Sequence, residues 1–220
     1  MEHRAADILC SILRDSLSKR ERKDIVGMSA EDWSSVYKMT RHNNLLPLLY
    51  HKLHFHEITS PAALQARLRT DYMAYEVRDL QRRRQLRELI RIFNDHSIDH
   101  MLLKGSHLAE KVYRNSLFRH MCDIDVLIRK CDFSFAYGTL IKYGYVSSRP
   151  NHHDTELLAL DKHYPELVKA GCLPVELHWN VHSQYDHENI ESIWARSENV
   201  LVDGLKTKVL SPEEIGRAHV

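Results

Sequence analysis

Residues Ala62 to Asp95 contain no glycine or proline and lie within the longest stretch of this sequence that lacks both, residues 62–104. Ser60 and Pro61 precede it, and a serine cap followed by a proline in the first turn is typical of a helix start. Apolar residues, Leu80 among them, recur at helical spacing, so we predict one helix about 50 Å long. With 7 glycines and 6 prolines in 220 residues, the whole chain is poor in turns, which argues against an all-β sandwich.

The residues before this helix also have a helical pattern. Ile8, Leu9 and Ile12 recur at three- and four-residue steps, which places them on one face of a first helix. Ser29 is followed by acidic residues, so we predict that it caps a further helix reaching Thr40. We therefore predict an N-terminal helical region over residues 1–95.

From residue 96 the period of the apolar residues changes. Short apolar or alternating runs predict strands at 98–103, 123–128 and 175–179. Residues 107–113 and 133–143 have the spacing of helices. Strands that alternate with helices in this order indicate a small sheet with helices packed on it, which we place at residues 96–214.

The charge composition of the chain narrows its function classes. Lys and Arg number 31 and Asp and Glu 30, so the formal charge of +1 argues against a polybasic nucleic-acid coat protein. The six arginines from Arg78 to Arg91 either contact phosphate or RNA, or form a solvated face paired with Asp79 and Glu88. We favour the solvated face and expect no nucleic-acid partner. No apolar run approaches the roughly 18 residues of a membrane span, so we expect a cytoplasmic protein without a membrane partner.

Asp123 and Asp125 stand two residues apart in a predicted strand. Side chains at i and i+2 of a strand point to the same face, so both carboxylates project together. Adjacent carboxylates repel each other, and keeping both ionised requires a cation, for which Mg²⁺ or Mn²⁺ is suited. Glu176 interrupts another short apolar strand, where a carboxylate is costly unless it is paired or binds a metal. We therefore expect Glu176 to be the third ligand, with His178 on the same face.

A candidate phosphate site follows the first predicted strand at Gly105 and Ser106. Glycine lets the backbone approach a phosphate, and the free N–H groups of a helix start attract it. His178 and His182 are four residues apart, as zinc-binding pairs on a helix are. The predicted strand at 175–179 is incompatible with that geometry, so zinc is not favoured.

Five motifs can be compared with known families as a set. They are LLKGS at 102–106, Tyr113, RHMCDIDVLI at 119–128, Gly144-Tyr145 and VELHW at 175–179. Together they resemble the poorly characterised bacterial nucleotidyltransferase family of the DNA polymerase β-like superfamily. The likeness extends upstream through Trp33, the LPLLY stretch at 46–50 and the long helix, and covers roughly residues 30 to 212.

The resemblance implies an α+β fold with a mixed-sheet nucleotidyltransferase core. It implies that Gly105 and Ser106 bind the triphosphate of a nucleoside triphosphate. Asp123 and Asp125 would hold two divalent ions, and Glu176 would be the third carboxylate, a position where aspartate is usual. In-line displacement at phosphorus uses two metals about 4 Å apart, which fits such a carboxylate set.

Two basic residues beside these motifs complete the predicted site. Lys104 and Arg119 are candidate phosphate or pyrophosphate contacts, and the sequence leaves open that each is a surface charge. We predict an Mg²⁺- or Mn²⁺-dependent enzyme that transfers a nucleotidyl or related phosphoryl group from a nucleoside triphosphate. The acceptor hydroxyl is not identified by the sequence, and a small molecule, a peptide and a protein all stay open.

Two other functions remain open at the level of the sequence. Asp123-Ile124-Asp125 is also the kind of metal motif that nucleotide-sugar glycosyltransferases use, but that reading leaves Gly105-Ser106 and Glu176 unexplained. A catalytically degenerate nucleotidyltransferase retained as a binding or antitoxin-like module is the non-enzymatic alternative. Both rank below the nucleotidyltransferase.

The end of the chain has an unusual sequence. Ser211 and Pro212 resemble a helix start, but residues 215–220, IGRAHV, end the chain within two turns. This hexapeptide resembles the translation of a common sequencing-library adapter that runs into a stop codon. We therefore expect a non-native tail at 215–220 and a truncated nucleotidyltransferase core.

Overall fold

The computed structural model describes residues 2–111, 113, 115–149, 165–181 and 190–215. The chain divides into two compact units, Met1–Asp79 and Leu80–Val220, each with its own apolar core. In the described ranges, none of the helices combines the length and the apolar character needed to cross a membrane. The cytoplasmic location, the functional boundary between residues 95 and 96 and the non-native tail stay predictions, and residues 216–220 of that tail lie outside the described ranges.

The first unit is built from helices. They are α1 (Glu2–Leu13), α2 (Lys19–Val26), α3 (Ala30–His42), α4 (Leu46–Phe55) and the part of α5 (Ala62–Asp95) that precedes residue 80. The predicted cap of α3 is confirmed: the Ser29 hydroxyl accepts a hydrogen bond from the Asp32 N–H, and the Asp32 carboxylate accepts one from the Ser29 N–H. The core of this unit includes Ile12, Trp33 and Leu49.

Helix α5 has the bounds that the sequence predicts. In the second unit its residues Leu86, Ile90 and Phe93 are buried against the sheet. The predicted apolar stripe is wrong at Leu80, which is 66% exposed. At about 100° per residue, Leu80 lies roughly 120° around the helix from Leu86, so it cannot share the buried face.

The arginine-rich part of α5 is not only a solvated face. Arg82 is buried, and Arg83 Nη2 donates a 2.6 Å hydrogen bond to Ser116 Oγ. Glu88, which we expected to pair with an arginine of the same helix, accepts a 2.7 Å hydrogen bond from Lys169 Nζ. The predicted pairing of Glu88 is therefore wrong, because a partner from another element outcompetes the weak i, i+4 contacts of the helix surface.

The second unit contains a seven-stranded mixed sheet in the described ranges, with the order β3-β4-β5-β2-β1-β7-β6. Strand β2 pairs antiparallel with β1 and parallel with β5, β1 pairs parallel with β7, and the outer pairs are antiparallel. The predicted α+β class with a mixed sheet is confirmed. The strands are β1 (His100–Leu102), β2 (Ile124–Ile128), β3 (Val146–Ser147), β4 (Leu167–Val168), β5 (Val175–His178), β6 (Glu198–Val202) and β7 (Leu205–Val209).

Two apolar clusters cover the two faces of this sheet. Val126 of β2 belongs to the larger cluster, with residues of α5 and α7 (Phe133–Lys142). Leu127, the next residue of β2, belongs to the other cluster, with Met101 and with Trp194 of α8 (Ile190–Arg196). The predicted helix start at Ser211-Pro212 is confirmed as α9 (Pro212–Ile215).

Helix α6 (Lys104–Lys111) begins earlier than the sequence predicts. The Leu103 carbonyl already accepts a hydrogen bond from the His107 N–H at 3.3 Å. We expected a helix from His107, because the apolar spacing starts there. The first turn of a helix lacks intrahelical acceptors for its N–H groups and tolerates glycine, so Gly105 and Ser106 lie inside this turn and not before it.

Candidate active site

Two parallel strands bring the candidate carboxylates together. In the register of β2 and β5, Asp125 lies opposite Glu176, and Leu127 lies opposite His178. Because side chains alternate along a strand, Asp125 is on the face opposite Val126. The strand spacing thus places Asp125, Glu176 and His178 at one side of the sheet.

The side chains of these three residues converge at close range. His178 Nε2 lies 2.8 Å from Asp125 Oδ1 and 3.3 Å from Glu176 Oε2. Lys104, the first residue of α6, places its Nζ 2.6 Å from the same Asp125 Oδ1 and 4.0 Å from Glu176 Oε2. Asp125 and His178 are both almost fully buried. The result is a compact cluster of two carboxylates, one imidazole and one ammonium group.

The charges of this cluster are reflected in its pKa directions. Burial opposes ionisation of Asp125, but hydrogen bonds from His178 and Lys104 outweigh it and hold the pKa of this carboxyl below its ordinary value. Burial likewise opposes protonation of His178, but its hydrogen bonds to Asp125 and Glu176 raise the pKa of the imidazole above its ordinary value. Asp125 is therefore held as a carboxylate, and His178 favours the charged form.

Asp123 adjoins this cluster. It precedes the first residue of β2 and is half-buried. Burial raises the pKa of its carboxyl, and the negative charges of Asp125 and Glu176 raise it further. Asp123 is thus near enough to sense both carboxylates, and it is easier to protonate than Asp125.

The donor atoms of the cluster fit a divalent cation. One oxygen each from Asp125 and Glu176 and one nitrogen from His178 lie within 4.8 Å of one another. Carboxylate oxygens suit Mg²⁺ and Mn²⁺, and imidazole is a ligand for transition metals. The structure therefore brings together two of the predicted ligands, Asp125 and Glu176, and places His178 beside them, where it can ligate a metal only in its neutral form. The part of Asp123 in metal binding stays a prediction, and His182 lies outside the described residues.

The predicted phosphate-binding residues lie at the start of α6. Ser106 is 1% exposed, and within the described residues its Oγ has no hydrogen-bond partner. At Gly105, an added Cβ would lie 2.6 Å from Sδ of the flexible Met121 side chain, which would have to move. Phosphate binding by Gly105 and Ser106 stays a prediction, supported by their place at a helix start.

The two predicted basic contacts have different surroundings. Lys104 is bound to the carboxylates, whereas Arg119 Nη1 donates a 3.0 Å hydrogen bond to the backbone carbonyl of His120. The sequence contained no signal for the ion pair between Lys104 and Asp125, because the two residues are 21 positions apart on different elements. The position of His178 beside Glu176 was readable from the i, i+2 spacing of a strand.

The mixed sheet presents two carboxylates beside the start of a helix. Comparison with known protein families identifies the family to which the chain belongs. The model of the uncharacterised nucleotidyltransferase family matches residues 29–215. The chain belongs to this family, and the resemblance noted in the motifs is confirmed. A search of curated proteins finds no match.

One solved structure is also similar to this chain. It is the crystal structure of a Thermotoga maritima protein described as a candidate nucleotidyltransferase. The two sequences are 17% identical, the TM-score is 0.46, and the match covers 62% of this chain and 81% of the other.

Proposed function

We propose that this protein is a metal-dependent nucleotidyltransferase that transfers a nucleotidyl group from a nucleoside triphosphate to an acceptor hydroxyl. The observation that supports this most is the pairing of Asp125 with Glu176 on adjacent parallel strands, next to the start of α6. Membership of a nucleotidyltransferase family agrees with this arrangement.

The carboxylates would hold the divalent ions, Mg²⁺ or Mn²⁺. Asp125 and Glu176 supply oxygens from opposite positions of two strands, and Asp123 adds a carboxylate before β2. When bound, the ions supply positive charge that stabilises the phosphates in the transition state. His178 is hydrogen-bonded to Asp125 and orients it.

The reaction exchanges one phosphorus–oxygen bond for another. The acceptor oxygen forms a bond to the α-phosphorus, the bond from that phosphorus to the pyrophosphate oxygen breaks, and the hydroxyl proton moves to a carboxylate. Glu176 is the proposed proton acceptor at the acceptor side. Asp123 is a second candidate, because its raised pKa makes it the better base of the pair Asp123 and Asp125.

The start of α6 is the proposed place of the triphosphate. The backbone N–H groups of the first turn, at Gly105 and Ser106, and the positive end of the helix dipole attract anions. The buried Ser106 hydroxyl has a free hydrogen-bonding capacity to offer. Lys104 and Arg119 would contribute positive charge to the β- and γ-phosphates.

The test is nucleotide transfer by the full chain. The protein is incubated with labelled nucleoside triphosphates, Mg²⁺ or Mn²⁺ and cell extract, and both pyrophosphate release and labelled products are measured. We expect transfer by the natural sequence and none by the double variant Asp123→Asn/Asp125→Asn. The matched control is Asp15→Asn, because the Asp15 carboxylate is also paired with a lysine but is fully exposed in the first unit.

Three results would overturn the proposal. One is equal transfer by the double variant and the natural sequence. Another is transfer from nucleotide sugars without pyrophosphate release, which would indicate a glycosyltransferase. The third is metal-dependent nucleotide binding with no turnover, which would indicate a binding module. Circular dichroism of each variant shows whether a lost activity reflects a lost fold.

A further inference from the structure

Lys104 takes up part of the space where a divalent ion would bind. Its ammonium lies 2.6 Å from Asp125 Oδ1 and 4.0 Å from Glu176 Oε2. These two oxygen-bearing groups belong to the converging set that fits a metal. An ammonium group at this place already neutralises one negative charge of the cluster.

The hydrogen bonds of Asp125 indicate which donor a divalent ion would replace. Its Oδ1 accepts hydrogen bonds from both Lys104 and His178. A carboxylate oxygen has two lone pairs, so both are engaged by these donors. A divalent ion that uses Oδ1 must therefore displace one of them. Lys104 is the one to leave, because its side chain is 27% exposed, whereas that of His178 is 2% exposed.

The backbone of Lys104 is in an unusual conformation. Its φ is +43°, in the left-handed region that residues with a side chain seldom adopt. Such conformations persist where the surroundings hold them in place, and they are frequent at functional sites. Here the ion pair with Asp125 is one contact that ties the residue in place.

The displaced ammonium would remain next to the proposed phosphate site. Lys104 is the first residue of α6, directly before Gly105 and Ser106. We propose that Lys104 is a resident cation of the carboxylate cluster, which the divalent ion displaces and which then binds the phosphates of the donor nucleotide. Metal and polyphosphate then bind cooperatively, because each favours the same position of one side chain. This inference rests on the proposed function for the identity of both ligands.

The test measures metal and polyphosphate binding without any turnover. Mn²⁺ is titrated into the full chain by isothermal calorimetry, and inorganic tripolyphosphate is then titrated at saturating Mn²⁺. For Lys104→Met, we expect Mn²⁺ alone to bind about tenfold more tightly, because a cation within hydrogen-bond distance weakens the binding of another cation by that order. Tripolyphosphate should bind about tenfold more weakly, because one charged contact is lost. Lys104→Arg should keep the tripolyphosphate affinity of the natural sequence.

The matched control is Lys52→Met in the first unit. Lys52 Nζ also lies 2.6 Å from an aspartate oxygen, that of Asp15. We expect this variant to leave both affinities unchanged. The proposal is overturned if Lys104→Met binds Mn²⁺ equally or more weakly, if it binds tripolyphosphate as tightly as the natural sequence, or if no form of the chain binds Mn²⁺. Opposite changes in the two affinities are not expected of a purely structural lysine.

The two proposals fail in different ways. The proposed function fails if the natural sequence does not transfer nucleotides with Mg²⁺ or Mn²⁺. The role of Lys104 fails if the ratio of Mn²⁺ affinities between Lys104→Met and the natural sequence is one or less, whatever the transfer assay shows.

Discussion

Each of the two compact units contains a lysine–aspartate pair with the same 2.6 Å distance, but a different partner is buried in each. In the first unit the side chain of Lys52 is 10% exposed and that of Asp15 is 100% exposed. In the second unit Lys104 is 27% exposed and Asp125 is 3% exposed. An exposed carboxylate keeps its water, whereas a buried one depends on protein donors. We therefore expect the two pairs to contribute differently to the free energy of unfolding, although their nitrogen–oxygen distances are equal.

The two aspartates also differ in their surroundings. Asp125 stands on an inner strand, next to His178 and opposite Glu176. A buried carboxylate is expensive to keep ionised, and this one is held below its ordinary pKa by two donors. Carboxylates with shifted pKa values cluster at functional sites. In the first unit the lysine is buried instead, and the carboxylate faces water.

The largest expected effect comes from Asp125→Asn compared with Asp15→Asn. We expect the first variant to lose about 10³-fold or more in transfer rate, because the proposed ligand of the catalytic ions is removed. The second should keep the full rate. The measurement is the initial rate of pyrophosphate release at saturating nucleoside triphosphate. Loss of less than tenfold in Asp125→Asn would contradict the assignment of Asp125.

Next in size is the loss of stability in His178→Ala. Its imidazole bonds to charged carboxylates, so we expect the free energy of unfolding to fall by about 2–3 kcal/mol. The comparison in the first unit is His56→Ala, whose Nε2 bonds to the Arg14 carbonyl at 2.9 Å, with an expected loss of about 1 kcal/mol. Urea unfolding of the metal-free proteins measures both values. Equal losses of unfolding free energy in the two variants would show that bonds from His178 to buried carboxylates stabilise the fold no more than a bond from His56 to a backbone carbonyl.

The contribution of His178 should depend on pH. Its pKa is raised by folding, so its stabilisation is complete below the ordinary value of 6.5 and is lost as the pH rises through the folded-state pKa. The pKa of Asp125 is lowered, so its stabilisation is present above the ordinary value of 3.8 and is lost as the pH falls through the folded-state pKa. The pair is therefore strongest between pH 3.8 and 6.5.

Urea unfolding at pH 5.5 and pH 8.5, with EDTA present, tests this dependence. The difference in unfolding free energy between the natural sequence and His178→Gln should be larger at pH 5.5. Asp123 also titrates with a shifted pKa, but it is present in both proteins and largely cancels in the difference. A difference that is constant between the two pH values would contradict a charged His178.

Replacing a glycine by alanine should have a smaller effect that again differs between the units. At Gly105 the new Cβ would meet Met121 Sδ at 2.6 Å, and we expect a loss of about 1 kcal/mol, because the helix preference of alanine offsets part of the cost of moving this side chain. At Gly27, which ends α2, the nearest atom is a Lys23 carbonyl oxygen at 3.4 Å, so alanine should be nearly neutral. Thermal unfolding measures both variants. The double variant Gly105→Ala/Met121→Ala should lose less unfolding free energy than the two single variants together if the contact is the cause.

The smallest effect is expected for Lys52→Met. Its partner Asp15 is fully exposed, so we expect a change of at most about 1 kcal/mol in unfolding free energy. The measurement is the urea midpoint of the full chain. A loss above 3 kcal/mol, as expected for a broken buried pair, would remove the contrast between the two lysine–aspartate pairs.

Local patterns in the sequence were sufficient for several elements of this protein. The start of α5 followed from Ser60-Pro61 and its end from the change of apolar period at residue 96, and the start of α3 followed from Ser29 and Asp32. The strand spacing placed His178 on the face of Glu176. These features depend on residues within a few positions of each other, where backbone geometry fixes the neighbours.

The errors have two physical origins. Leu80 was counted in the apolar stripe although, at about 100° per residue, it lies on a different side of α5 from Leu86. Glu88 pairs with Lys169, 81 positions away, and not with an arginine on its own helix. The start of α6 was placed one turn too late, because its first turn lacks the apolar spacing that the helix pattern requires. For Glu88 and for the start of α6, the deciding factor was a residue or a hydrogen bond that the spacing of apolar residues does not reveal.

The sequence by itself determined the family and the α+β class, because the motifs and the strand and helix periods are local properties. The tertiary structure decided how the site is assembled. Only the pairing of β2 with β5 brings His178 to Asp125, 53 positions away, and only the approach of α6 to β2 brings Lys104 there. Contacts between distant residues depend on which strands become neighbours, and no local period of the sequence encodes that choice.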